Sequence, residues 1–569
     1  MWLYILLAAS ATALIVAVRQ RIYPKPYPGI PYNEQSAHRI SGDLPELVPV
    51  IKSTNEYSTA IFSITTQRLG KPIAQMLFPA LRKPLILLED PREIEDIIVR
   101  RNREFDKAPM SINTIRPMFA NATTSQYTTP QLKAQKRLWA DVISAEFLHK
   151  AAAPNIYKAT LNLLELWRLK ASSSVHKDRP FKVPEDFQNA TLDAMWVAVV
   201  GEEPGVTRYE ITKLQNQIAG KSENNLPPPR GIFLKREVDY IADVIARNAS
   251  SPVPGWAQKL ETYMPRHRQF RRTVNAEITL VMRKAVDRFQ RLDLGKLEAD
   301  EMDTCMSDQV LRRLVLAAKK AQRPLADPTK DQRMLDEMFF LLVAGYDTTA
   351  NLLTWFVRYM ESYPTAQSEL RAALQAAFPS SKVPSMEDII GKNIPYLDAA
   401  CEETFRLGGV AKGNLRQALV DTEVLGCKIP KGAEIFMNYH FNHAPYPVEE
   451  SDRSTSSQTA GAKYGDDRLY YGSAGRDLGN FEPKRWLVKD THTERELFNQ
   501  NALPSLAFGG GYRGCSGRKL AVMEFRLIVA LLVLNFEFLE LPADLKTLKA
   551  SEKIFRSPDM PFVRLRALS

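Results

Sequence analysis

Ser505 to Glu524 reads SLAFGGGYRGCSGRKLAVME, and this stretch decides how the rest of the chain is read. One cysteine, Cys515, stands among Gly509, Gly510, Gly511, Gly514 and Gly517, flanked by Arg513 and Arg518. The apolar run Leu520 to Leu534 follows, dense enough for a buried helix. Glycines let backbone turn sharply and approach a flat ligand closely. A cysteine just ahead of a helix sits at the positive end of its dipole, which favours thiolate over thiol. Backbone N–H groups around such a sulfur donate to it and tune its electron density. The stretch therefore suits a thiolate metal ligand; a buried cysteine in a glycine-rich loop is the plain alternative.

Phe508, Gly511, Arg513, Cys515 and Gly517 fill every fixed position of Phe-x-x-Gly-x-Arg-x-Cys-x-Gly. That resembles the haem-binding signature of the cytochromes P-450. A second stretch agrees. Apolar residues run from Leu335 to Met360, Pro364 stops them, and Thr329 to Gln332 has the spacing of a capping box. About 30 helical residues would span roughly 45 Å, enough to cross a domain. Inside lies Ala344-Gly-Tyr-Asp-Thr-Thr349. Glycine in mid-helix costs about 1 kcal/mol against alanine, and a haem packed on the helix would give Gly345 its reason. Thr348 can bond back to the Ala344 carbonyl and open the helix locally, with Asp347 placed to feed protons inward. The sequence is similar to the family's Ala/Gly-Gly-x-Asp/Glu-Thr pattern. Third, Glu403 and Arg406 share a helix face. With Phe481, Pro483, Arg485 and Trp486 they match the family's Glu-x-x-Arg and Phe-x-Pro-x-Arg-Trp, a buried carboxylate between two guanidiniums.

The resemblance implies a mainly α fold with small β-sheets and a haem b (iron protoporphyrin IX) whose iron is bound by Cys515. It assigns Phe508, Gly511, Arg513, Gly517, Ala344 and Gly345 to the cofactor's surroundings and gives Thr348 and Asp347 the steering of protons. Arg416 matches a place where the family supplies a propionate partner. Arg137, beside Trp139, is a weaker match, because the usual Trp-x-x-x-Arg spacing is missing. The implied activity is insertion of one oxygen atom of dioxygen into a lipophilic small molecule, in secondary-metabolite biosynthesis. Relatives that rearrange or dehydrate without dioxygen or reductase are the alternative, and they often lack the acid–alcohol pair that Asp347 and Thr348 supply.

The remaining sequence fits this reading. The 569 residues are 45% hydrophobic and 25% charged, as in a globular protein. Four cysteines, with no Cys-x-x-Cys pair, argue against a disulfide framework or a zinc site. The net charge of +11 comes with no nucleic-acid motif, so an anionic membrane surface or acidic protein partner is expected rather than nucleic acid. Trp2 to Val18 is uncharged and is followed by Arg19, Arg21 and Lys25. This predicts a membrane anchor over 1–21, single-pass, in the endoplasmic reticulum with the catalytic body in the cytosol; a cleaved signal or a buried helix is the alternative. A proline-rich hinge over 22–32 and a catalytic domain over 33–569 complete the expected organisation. Ser451 to Asn480 is a polar surface insertion. No flavin or nicotinamide fingerprint occurs, so electrons are expected from NADPH through a separate cytochrome P-450 reductase, with cytochrome b5 as a further candidate donor.

Overall fold

The computed structural model describes residues 22–79, 82–173, 179–221, 226–249, 251, 253–299, 303–464, 477–490 and 492–568. The expected anchor over 1–21 lies outside them, and no helix among the described residues is long and apolar enough to cross a membrane. The architecture is mainly α with small sheets.

Seven helices frame the site: α1 Pro91–Val99, α2 Pro130–Leu138, α3 Pro184–Val200, α4 Gln332–Ser362, α5 Pro395–Gly408, α6 Thr455–Tyr464 and α7 Arg518–Asn535. The longest, α4, runs 31 residues. Its start differs from the expected capping box. Asp331 is the N-cap and accepts from the Arg333 N–H at 2.9 Å, while Asp327 caps the preceding turn by accepting from the Thr329 N–H at 3.0 Å. Aspartate takes both places because a short carboxylate reaches free N–H groups and suits the dipole's positive end. Helix α2 ends at Leu138, with Trp139 as its C-cap.

Helix α3 lies along α4, and the Thr191 hydroxyl donates to the Tyr346 carbonyl at 2.9 Å. Helix α7 is apolar nearly all round, with Phe525 and every residue from Leu527 to Asn535 buried; such a helix is stable only inside a core. The main sheet contains β1 Ile73–Met76, β2 Leu85–Leu88, β3 Phe105–Lys107, β4 Gly413–Ala418 and β5 Glu434–Asn438, in the order β1-β2-β5-β4-β3. Its register sets Lys107 opposite Arg416. The proline-rich stretch is not a free spacer along its whole length. Gln75 donates to the carbonyls of Tyr27 and Ile30, both at 2.8 Å, and accepts from the Tyr27 N–H at 2.7 Å. Ile30 is buried there.

Candidate haem site

Cys515 precedes α7 by three residues, and its N–H donates to the Phe508 carbonyl at 2.8 Å, closing the loop. The backbone N–H groups of Gly517 and Arg518 face the sulfur closely enough to favour its charged form. It is open on one side and crowded by protein elsewhere, so burial still pushes the thiol up. Against this act those two N–H groups and the charges of Arg518 and Lys136. A coordinated metal removes such a proton outright.

Gly511 has φ +61°, and a Cβ there would come within 2.1 Å of the Ile98 carbonyl oxygen at the end of α1. The loop thus seats directly on helix backbone, a contact only glycine permits. Phe508 meets Phe405 of α5 edge-on at 5.2 Å, which joins the loop to the buried ion-pair helix. There Glu403, fully buried, accepts from Arg406 Nε and Nη2 at 2.8 and 2.7 Å. It also accepts from Arg485 Nε at 3.3 Å and from the Trp486 indole at 2.9 Å. Burial alone would raise Glu403, but Arg406 and the hydrogen bonds outweigh it and hold it below the usual range. The predicted locking group is assembled in full.

Positive charge gathers beside the loop. Lys107, Arg416 and Arg513 are close enough to act on one another, with Asp106 as the anion among them. Burial first, then Arg513 and Arg416, push Lys107 down to about 7. Arg513 binds Asp106 at 3.2 Å, the Gln126 carbonyl at 2.7 Å and the Thr128 hydroxyl at 3.0 Å. Arg416 is buried. Beside it the hydroxyl of Tyr439, also buried, has no hydrogen-bond partner among the described residues.

Arg137 does not join this group. It is exposed, and its neighbour Lys136 turns inward to donate to the Tyr512 carbonyl at 2.6 Å. One helical residue is a rotation of about 100°, so the two cannot share a face. Lys107 and Lys136 were both missed by sequence reasoning. Lys136 had a signal: it stands four residues after the buried Leu132 and therefore on its face. Lys107 had none, because the sheet register alone brings it to Arg416.

Helix α2 also ties this side to α4, since Gln135 donates to Glu337 at 3.1 Å. In mid-helix, Thr348 Oγ1 donates to the Ala344 carbonyl at 2.9 Å, as expected. Phe340, Ala344 and Thr348, each four residues apart, form a half-buried stripe on a helix otherwise largely buried. Gly345 requires a correction. A Cβ there would lie 2.4 Å from Met195 Cε. Its absence makes room for α3, and Ala344 is the small residue on the Thr348 face. Asp347 points elsewhere too, accepting from Gln188 of α3 at 3.0 Å. Burial pushes its carboxyl up, helped by Asp239 and opposed by Gln188.

Glu524, which sequence reasoning did not single out, is wholly buried on α7 beside Thr349 of α4, and its Oε1 has no partner among the described residues. Burial pushes it up to about 8.

These residues fit iron protoporphyrin. The loop offers a sulfur open on one side, Lys107, Arg416 and Arg513 beside it share the carboxylate of Asp106, and small Ala344 lies on the Thr348 face of the central helix. The comparisons agree. The cytochrome P-450 family pattern matches residues 45–445 and 479–562. The chain is 28% identical over 576 residues to the cytochrome P-450 monooxygenase TRI13 of Fusarium sporotrichioides, covering 95% of each. To the cytochrome P-450 monooxygenase xilC of Penicillium rubens it is 30% identical over 594 residues, covering 99% of this chain and 96% of that one. A crystal structure of a cytochrome P-450 (CYP102L1) superposes with TM-score 0.65 at 17% identity over 96% of this chain and 100% of that one, a likeness of fold alone. The chain therefore belongs to the cytochrome P-450 family, as a monooxygenase with haem as its cofactor.

Proposed function

We propose that this enzyme oxygenates a lipophilic small molecule of secondary metabolism, with Cys515 as the residue that would bind the haem iron. The observation that carries the reading is the pairing of a cysteine sulfur open on one side, ahead of α7, with the Thr348–Ala344 hydrogen bond on the long helix α4. Bound haem supplies the dioxygen chemistry, and a thiolate ligand pushes electron density towards O–O cleavage. Arg416, Arg513, Lys107 and Lys136 would hold the propionates. Ala344 would leave room for the cofactor on the Thr348 face of α4. The Thr348 hydroxyl holds a proton donor in place. Asp347, with Gln188, forms the outer step of the proton path, and its raised affinity for a proton suits that role. Half-buried Phe340, Leu341 and Val343 give α4 an apolar wall suited to a lipophilic substrate.

Electrons come from NADPH through a separate reductase, with cytochrome b5 as a second donor. Exposed Lys133 and Arg137 on α2 and Lys519 on α7 give the cysteine side the basic character that steers an acidic partner. Residues 1–21 anchor the enzyme in the endoplasmic reticulum membrane, with the body in the cytosol. Val253, Trp256, Leu260, Tyr263 and Met264 are all exposed around the helix Pro254–Glu261, and so large an apolar patch suits a lipid surface.

The test is expression with a reductase, followed by spectra and metabolite comparison. Cys515→Ala removes the thiolate-type spectrum of the reduced carbon-monoxide complex. Thr348→Ala retains that spectrum but lowers product formed per NADPH by about tenfold or more, the scale of a lost proton-transfer group. An unchanged spectrum in the first variant overturns the ligand assignment. Product formed without NADPH and reductase overturns oxygenation in favour of rearrangement.

A further inference from the structure

The family pattern stops at residue 445 and resumes at 479. The described part of the intervening segment is not a loose surface loop. The side chain of Arg453 is only 1% exposed and forms a two-point ion pair with Asp90, at 2.7 and 3.0 Å. Asp90 is the N-cap of α1 and accepts from the Glu93 N–H at 2.8 Å. Ser454 and Ser456 each donate to the buried Asp96 in the middle of α1, both at 2.6 Å. Arg92 of α1 reaches back to Glu450 at 2.9 and 2.8 Å and to the Ser457 carbonyl at 3.3 Å. Helix α1 is thus gripped along its length by the segment that opens α6.

The other end of α1 is the seat of the cysteine loop. A Cβ at Gly510 would lie 3.1 Å from Ile98 Cδ1 and from Val99 Cγ2, and one at Gly511 would collide with the Ile98 carbonyl. With so little clearance, a shift of α1 of a few tenths of an ångström must move the loop. Asp90, Glu93 and Asp96 are all buried on α1. Without Arg453 this helix would carry buried negative charge lacking one of its counter-ions, an arrangement much costlier than the paired one.

We propose that Arg453, Ser454 and Ser456 are positioning residues for the haem-ligand loop: the segment 450–457 clamps α1, and α1 fixes where Cys515 is held. This rests on Cys515 being the iron ligand. One measurement does not depend on that assignment.

The experiment compares the full-length holoenzyme with Arg453→Ala, Arg453→Lys and the double variant Ser454→Ala/Ser456→Ala. The first readout is the fraction of the reduced carbon-monoxide complex with the thiolate-type spectrum, followed against pH, together with the iron reduction potential. Arg453→Ala is expected to lose the thiolate form at a pH where the parent retains it and to shift the potential. Arg453→Lys should restore part of both. The second readout is amide hydrogen exchange at 91–99 and 508–517, expected to quicken by about tenfold in both segments in the serine variant, as local opening becomes easier. If Arg453→Ala does not fold, the serine variant carries both readouts. Parent-like exchange at 508–517 with faster exchange at 91–99 would overturn the clamp, as would an unchanged spectrum and potential. Failure of Cys515→Ala to alter the spectrum would instead overturn the ligand assignment.

Discussion

Glu524 of α7 lies beside Thr349 of α4, so a buried carboxyl group sits between the helix that follows the cysteine and the helix that carries Thr348. One of its oxygens has no partner among the described residues. Burial raises its affinity for a proton, from the ordinary 4.5 to about 8. The folded protein therefore keeps a proton that the unfolded chain releases above the ordinary value. The stabilising contribution is fully present below about pH 4.5 and is lost progressively as pH rises to about 8, at roughly 1.4 kcal/mol per pH unit. Glu524→Gln, which remains neutral, should flatten that slope and be the more stable variant near about pH 8. Urea unfolding across this range is the check; parallel slopes in parent and variant would show that Glu524 is ionised when folded.

Gly345 and Met195 should be energetically coupled. Alanine at 345 gains about 1 kcal/mol of helix propensity, but a Cβ 2.4 Å from Met195 Cε overpacks the α3–α4 contact at a cost of about 1–3 kcal/mol. The overpacking should win in Gly345→Ala. Adding Met195→Ala should make the glycine replacement favourable, so that a double-mutant cycle gives a non-zero coupling. Additive effects would mean that α3 yields without strain.

Lys107 should take up a proton when haem binds. Its affinity is pushed down to about 7 by burial and by the charges of Arg513 and Arg416; two propionates would reverse the sign of its surroundings. Near about pH 8 the site without propionates is largely uncharged at Lys107, and binding recharges it. Calorimetry in buffers of different ionisation enthalpy measures the uptake, expected to be close to one proton and absent in Lys107→Met. Equal uptake in both proteins would refute the assignment.

Glu403→Gln should impair folding far more than its distance from the haem suggests. It leaves Arg406 and Arg485 in a buried site without their shared carboxylate, which typically costs about 3–5 kcal/mol. A melting temperature within a degree or so of the parent would contradict this, since about 1 kcal/mol already shifts melting by a few degrees in large domains.

The sequence alone determined the parts that are local. The spacing from Phe508 to Gly517 requires a tight loop before a helix, and the run from Leu335 to Met360 is long enough for only one kind of element. Ala344 and Thr348 are four residues apart, so their hydrogen bond follows from helix geometry. Glu403 and Arg406 pair for a similar reason. What tertiary structure decided was which face of each element meets which neighbour. Gly345 makes room for Met195, Lys136 rather than Arg137 turns inward, and Lys107 meets Arg416 across the sheet. The polar segment after 445 looked like surface, yet Arg453 is buried on Asp90, 363 positions earlier in the chain. A charged side chain shows its partner only when the backbone has brought both together and excluded water, and a one-dimensional pattern does not contain that distance.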